Sequence, residues 1–178
     1  IKILLRNAKG EENAKIKFES ESDEKYKIIG LDEISNKIIE YQNKVKEENG
    51  VKEGETRLFD KVIQLEVNRK GAPNLTLYDM PGINLKDEDF QKKSEEINEK
   101  YLKEKETTVL LIISGKDEPS NYHSTKWMKT IPNYRKRFNP IITFADSLGN
   151  PNDKLDNYLK QITTLELENP PSLLINKL

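Results

Sequence analysis

Apolar residues follow two spacings along this chain, and each change of spacing marks a change of element. Ile1, Ile3 and Leu5 alternate with other residues, and Ile16 and Phe18 alternate again after a polar turn at Ala8 to Asn13. Alternation on both sides of a turn predicts two strands joined as a hairpin over 1–19. Ser20 to Lys25 is charged and reads as a loop. From Asp32 the period becomes helical. Ile34, Ile38, Tyr41 and Val45 share one face, with Asp32 as the N-cap, Gly50 as the stop and the charges of 44–48 on the solvated side.

Val62 to Val67 alternates as the next strand. The turn Lys70 to Asn74 leads to a short strand at Leu75, Leu77 and Tyr78. Ile83 to Gln91 reads as a loop, and Ile97 and Tyr101 mark the apolar side of a helix across 92–105. Val109 to Ile113 is a continuous apolar run, as in a strand covered on both faces. Trp127, Met128 and Ile131 belong to the core side of a helix around 122–131. Pro140 to Phe144 is another buried strand, Leu155, Tyr158, Leu159 and Ile162 a last helix, and Leu173 to Ile175 a last strand. The second half thus alternates strand and helix, which predicts an α/β fold with a mostly parallel sheet and helices on both faces. Such sheets bind ligands at the carboxyl ends of their strands.

Composition narrows the chemistry. The 178 residues fit one domain, and formal net charge is -1, which lacks the basic excess of a nucleic-acid surface. There is no cysteine and a single histidine, His123. Disulfides, cysteine-held metals and histidine metal clusters are therefore excluded. No apolar run reaches the ~18 residues of a membrane helix, and no signal peptide opens the chain, so a cytoplasmic setting is expected. The first residue is Ile1, which fits a processed chain or a fragment.

Three strand ends carry polar residues suited to a nucleotide. After Leu75–Tyr78 comes Asp79-Met80-Pro81-Gly82. A carboxylate leaving a strand there can hold Mg2+, often through water, and the glycine lets a backbone N–H approach a phosphate. Asp-x-Pro-Gly is equally an ordinary turn. After Pro140–Thr143 comes Phe144-Ala145-Asp146. A carboxylate there can accept the N1–H and amino hydrogens of guanine, a donor pair that adenine lacks. Alternatively Asp146 only caps a loop. Asn176 after the last strand either meets the base or caps the strand. Their order and spacing say more than any one of them.

In that order the chain resembles the GTPase domain of the dynamin superfamily. PNLTLYDMPGI at 73–83 is similar to the family's Asn-Leu-Thr-Leu followed by Asp-Leu-Pro-Gly. The run at 105–132 is similar to the strand and helix that follow. IITFAD at 141–146 matches the Thr-Lys-Leu-Asp segment, LLINKL at 173–178 the closing strand and asparagine, and IKILLRNA at 1–8 the strand after switch I. The resemblance implies one domain over 1–178 of a GTP-binding, GTP-hydrolysing protein. Asp79 would then be linked to Mg2+, Gly82 would bond the terminal phosphate, and switch II would span 79–93. Thr143 and Asp146 would lie at the guanine pocket, with Asn176 a guanine or ribose contact. It also implies GTP or GDP as ligand and homo-oligomers formed through this domain. Membrane association would lie in other regions, and nucleic acid is not an expected partner.

The chain departs from the family pattern in two places. No Gly-x-x-x-x-Gly-Lys-Ser/Thr occurs in it; the sole Gly-Lys pair, Gly115-Lys116, runs on to Asp117. The resemblance places the phosphate-binding loop and its central strand upstream of Ile1, so no catalytic residue is assigned here. Hydrogen bonds to charged phosphate oxygens contribute about 1.5–3 kcal/mol each. Losing about four of them removes most of the ~8 kcal/mol of a micromolar complex. These 178 residues alone are therefore expected neither to bind GTP tightly nor to hydrolyse it. The family lysine of Thr-Lys-x-Asp is Phe144, which either stacks on the purine or fills the pocket. The alternative function is a non-enzymatic interaction module, possible as a strand-exchanged dimer.

Overall fold

The computed structural model describes residues 1–52, 55, 57–82, 88–102, 106–116, 127–144, 153–163, 165–168 and 171–173. The chain divides into two compact units, Ile1–Pro81 and Gly82–Leu178.

The first unit is a five-stranded sheet with one long helix. Its strands are β1 (Lys2–Asn7), β2 (Asn13–Phe18), β3 (Lys27–Ile29), β4 (Ile63–Arg69) and β5 (Leu75–Tyr78), in the order β3-β2-β4-β1-β5. The expected hairpin over 1–19 does not form: β4 lies between β1 and β2, parallel to the first and antiparallel to the second. The register gives the reason. β4 sets Ile63, Leu65 and Val67 opposite Phe18, Ile16 and Ala14 on one side. On its other side Leu65 and Val67 face Ile3 and Leu5. One apolar face then runs unbroken across three strands, which a two-stranded hairpin cannot provide.

Helix α1 (Ile34–Glu48) closes that face, burying Tyr41 and Val45 against Ile16, Phe18, Ile29 and Leu65. Asp32 does not cap it. Asp32 sits in a single 3-10 turn, Leu31–Glu33, and the Glu33 carboxylate instead accepts the Gly30 N–H at 2.8 Å. Gly50 ends the helix as its sequence position suggested. Its φ of 60° is left-handed. There Gly50 N–H donates to Glu47 O at 3.1 Å and Val51 N–H to Lys46 O at 3.0 Å, the paired bonds of a Schellman stop.

The second unit contains β6 (Val109–Ser114), β7 (Phe138–Thr143) and β8 (Ser172–Leu173), paired in that order and all parallel. Parallel pairing, read for the second half of the sequence, holds in this unit. The first sheet is mixed, because three of its four pairings are antiparallel. Helix α2 (Glu88–Leu102) begins within the stretch read as loop; it buries Ser94, Asn98 and Leu102, and the expected Ile97 and Tyr101 lie half-buried beside them on the same side. A single turn, α3 (Tyr134–Arg137), precedes β7, and α4 (Asp153–Thr163) follows it. Leu111, Ile113, Phe138 and Ile142 face Met128, Ile131, Tyr158 and Ile162 in one core. Trp127 packs against its margin, as expected of a core residue.

Among the described residues β5 and β6 are edge strands. Each carries exposed aliphatic side chains: Leu75 and Leu77 on β5, Leu110 and Ile112 on β6. The continuous apolar run of β6 therefore buries only alternate residues.

Candidate functional site

Register brings two strand ends level. Ser114 and Thr143 close β6 and β7 as paired residues. Gly115 N–H donates to Thr143 O at 2.7 Å, and the Thr143 hydroxyl to Ile113 O at 3.4 Å. From α4 the buried Tyr158 hydroxyl donates to Ser114 O at 2.7 Å. These bonds tie the ends of β6 and β7 to each other and to α4.

Phe144 has a φ of 53°, in a region that aromatic residues seldom enter. Lys116 Nζ lies 4.0 Å from the centre of its ring, and Lys116 N–H donates to Ser114 Oγ at 3.2 Å. The sequence reading passed over Lys116, because Gly115-Lys116 fails as a phosphate-loop motif. Its meeting with Phe144 depends on the parallel register of two strands whose paired residues, such as Ser114 and Thr143, lie 29 positions apart in sequence.

Asp79 follows β5 directly and is exposed. Its N–H donates to Ile1 O at 2.8 Å and its carbonyl accepts from the Ile1 amino group at 2.8 Å, extending the β1–β5 ladder by one residue pair. The carboxylate thus leaves the sheet from an anchored backbone, a fitting donor for a hard cation that keeps most of its own waters. In the second unit, Gly82 O accepts the hydroxyl of buried Ser94 at 2.9 Å. Gly82 is exposed, and a methyl group placed on it meets no atom within 4 Å. Neither positive φ nor crowding among the described residues explains glycine there. Asp146, Asn176 and His123 lie outside the described residues. Among the described residues, no three His, Cys, Asp or Glu side chains gather as a metal cage, and no helix is long and apolar enough to cross a membrane.

An α/β chain with Asp-x-x-Gly and Thr-x-x-Asp after its strands has the layout of a GTP-binding domain. The model of the dynamin family matches residues 1–146, and the chain belongs to that family. An interferon-induced GTP-binding protein, MxE of Danio rerio, is 28% identical over 129 residues, covering 66% of this chain and 21% of that protein. Two solved structures of an oligomerised bacterial dynamin pair, connected with long-range sensing and tethering of membranes, have the same fold. One has a TM-score of 0.55 at 14% identity, covering 99% of this chain and 26% of the other. The second has a TM-score of 0.52 at 15% identity, covering 97% and 25%. The chain therefore spans about a fifth to a quarter of the length of these relatives.

Proposed function

We propose that this chain supplies the switch II and guanine-recognition half of a dynamin-type GTPase site. The observation that carries this reading is the family match over 1–146, which contains Asp79-x-x-Gly82 and Thr143-x-x-Asp146 in the family's order. In this reading Asp79 holds Mg2+ through water, and the Gly82 N–H meets the terminal phosphate. Space around Gly82 supports that role, since a phosphate oxygen needs the room a side chain would take. Asp146 accepts the guanine N1–H and amino hydrogens beside Thr143, and Asn176 completes the base or ribose contact. Mg2+ supplies charge neutralisation at the phosphates when bound.

The phosphate-binding loop and its strand come, in this proposal, from sequence outside the 178 residues. The exposed aliphatic residues on β5 and β6 support the arrival of further chain at these edges. Hydrolysis, oligomerisation through this domain, membrane association through other regions and a cytoplasmic location belong to the same proposal for the complete protein.

A second reading is an interaction module in which nucleotide binding has faded. Phe144 in place of the family lysine and the absent Gly-Lys-Ser/Thr favour it. Calorimetric titration with GDP and ADP in Mg2+ separates the two, using this chain and a form that carries the preceding coding sequence. The GTPase reading predicts little heat from the chain alone and GDP-selective binding by the longer form. Equal, negligible heats from both forms would leave the interaction module standing.

A further inference from the structure

A second concave place lies in the first unit, where β2, β3 and α1 meet. β2 ends at Phe18, and the register sets Lys27 of β3 opposite Ile16, on the sheet face that α1 covers. Helix α1 brings Glu40, Tyr41 and Lys44 to the same place. Between them lies a cavity of about 110 Å³, with Glu21 and Lys25 from the β2–β3 connection on its wall. Pockets that take a whole drug-sized ligand measure about 300–1,000 Å³. This one has room for a single small group.

Its wall combines aromatic rings with ammonium groups. Phe18 and Tyr41 are buried, with ring centres 4.9 Å apart. Lys27 Nζ lies 6.0 Å from the centre of the Tyr41 ring, and Lys44 Nζ 5.8 Å from that of Phe18. Tyr41 is only 6% exposed, yet its hydroxyl makes no hydrogen bond to any described residue. A buried tyrosine hydroxyl usually has a partner. Lys25 and Lys27 have no carboxylate within ion-pair distance among the described residues.

The neighbouring carboxylates are already engaged. Glu21 accepts the Phe18 N–H at 2.9 Å. Glu40 pairs with Lys37 at 2.6 Å. Glu48, 4.0 Å from Lys44, holds Lys61 at 2.7 Å. The cavity is thus left with an excess of positive charge and an unused hydroxyl donor. An apolar group would leave that donor unsatisfied, and a cation would be repelled. A phosphate monoester carries about −1.5 to −2 charge at neutral pH and three strong acceptor oxygens, and lysines bind such a group as point charges.

We propose that this cavity binds a phosphate monoester, with Lys25, Lys27 and Lys44 supplying the charge and the Tyr41 hydroxyl a hydrogen bond. The site lies wholly within the first unit and shares no residue with the nucleotide proposal. The same group can arrive as a soluble ester or as a lipid headgroup, and the test separates these sources.

The full-length protein, held in excess GDP and Mg2+ to fill the nucleotide site, is titrated calorimetrically with glycerol 3-phosphate and with acetate. Lys25→Gln with Lys27→Gln is expected to weaken phosphate-ester binding about tenfold. Tyr41→Phe, which keeps the ring against Phe18, is expected to weaken it about fivefold. Lys9→Gln, at an exposed position of the same unit away from the cavity wall, leaves it unchanged. Phosphatidylcholine vesicles with and without phosphatidic acid then identify the source. Co-sedimentation with phosphatidic acid vesicles that is lost on Lys25→Gln with Lys27→Gln assigns a lipid headgroup. Binding of glycerol 3-phosphate without co-sedimentation assigns a soluble ester. The proposal is overturned if neither glycerol 3-phosphate nor the phosphatidic acid vesicles bind, or if acetate binds as tightly as the ester. It is also overturned if binding is indifferent to the lysine substitutions or to Tyr41→Phe.

Discussion

Gly82 separates a structural requirement from a functional one at the scale of a single residue. A methyl group fits there without contact, and an ordinary backbone conformation asks for no glycine. Gly82→Ala is therefore predicted to leave folding stability within about 0.5 kcal/mol of the parent, measured by urea denaturation. If the amide serves a phosphate, the same variant in a nucleotide-binding form of the protein loses affinity for GTP more than for GDP. A variant that unfolds the chain would place the need for glycine in the fold instead. Other residues resist this kind of reading from sequence. Phe144 could be recognised as a departure from a motif, but its left-handed backbone and its contact with Lys116 arise from tertiary pairing. Local patterns carry no trace of it.

Elements were legible wherever one face meets one core. Helix α1 follows its periodicity, because Tyr41 and Val45 pack against a sheet face that local alternation had already identified. Gly50 was readable for a similar reason: the C-terminal stop is a local geometry. Gly50→Ala forces an L-residue into φ 60° and is predicted to cost about 1 kcal/mol, measured as a shift in the denaturation midpoint. A neutral result would mean that the Schellman bonds are not formed in solution.

Pairing partners were not legible. The turn at Ala8 to Asn13 suggested a hairpin, yet β4, more than forty positions beyond β2, provides the better apolar match to both β1 and β2. In α2 the apolar periodicity marked the side of the helix that carries Ile97 and Tyr101, but not its most buried positions there, because Ser94 and Asn98 are polar. The edge strand β6 makes its own prediction. Under the proposal that the 178-residue chain associates through this edge, Leu110→Lys with Ile112→Lys reduces its concentration-dependent association in sedimentation experiments, since these exposed side chains lie on a strand that is an edge among the described residues. Unchanged association would locate the contact elsewhere.

At the scale of the whole molecule, the family is secure and the site is partly described. Two cores, one under each sheet, carry the fold. The order of strand-end motifs, rather than any single one, pointed to the dynamin family that the match over 1–146 establishes. Asp79, Gly82 and Thr143 each lie at or just beyond the strand end that the sequence indicated. Convergence of Asp79, Asp146 and Asn176 on one nucleotide stays part of the proposal, because Asp146 and Asn176 lie outside the described residues.

Base recognition by Asp146 tests the central claim most directly. A carboxylate accepts the N1–H and amino hydrogens of guanine, whereas an asparagine amide donates and so suits xanthine, which has a carbonyl where guanine has its amino group. Titration of the nucleotide-binding form with GDP and with xanthosine diphosphate, before and after Asp146→Asn, reads that exchange. The account predicts that the variant loses GDP affinity about a hundredfold and gains affinity for xanthosine diphosphate. Unchanged binding of both nucleotides after the substitution would contradict it.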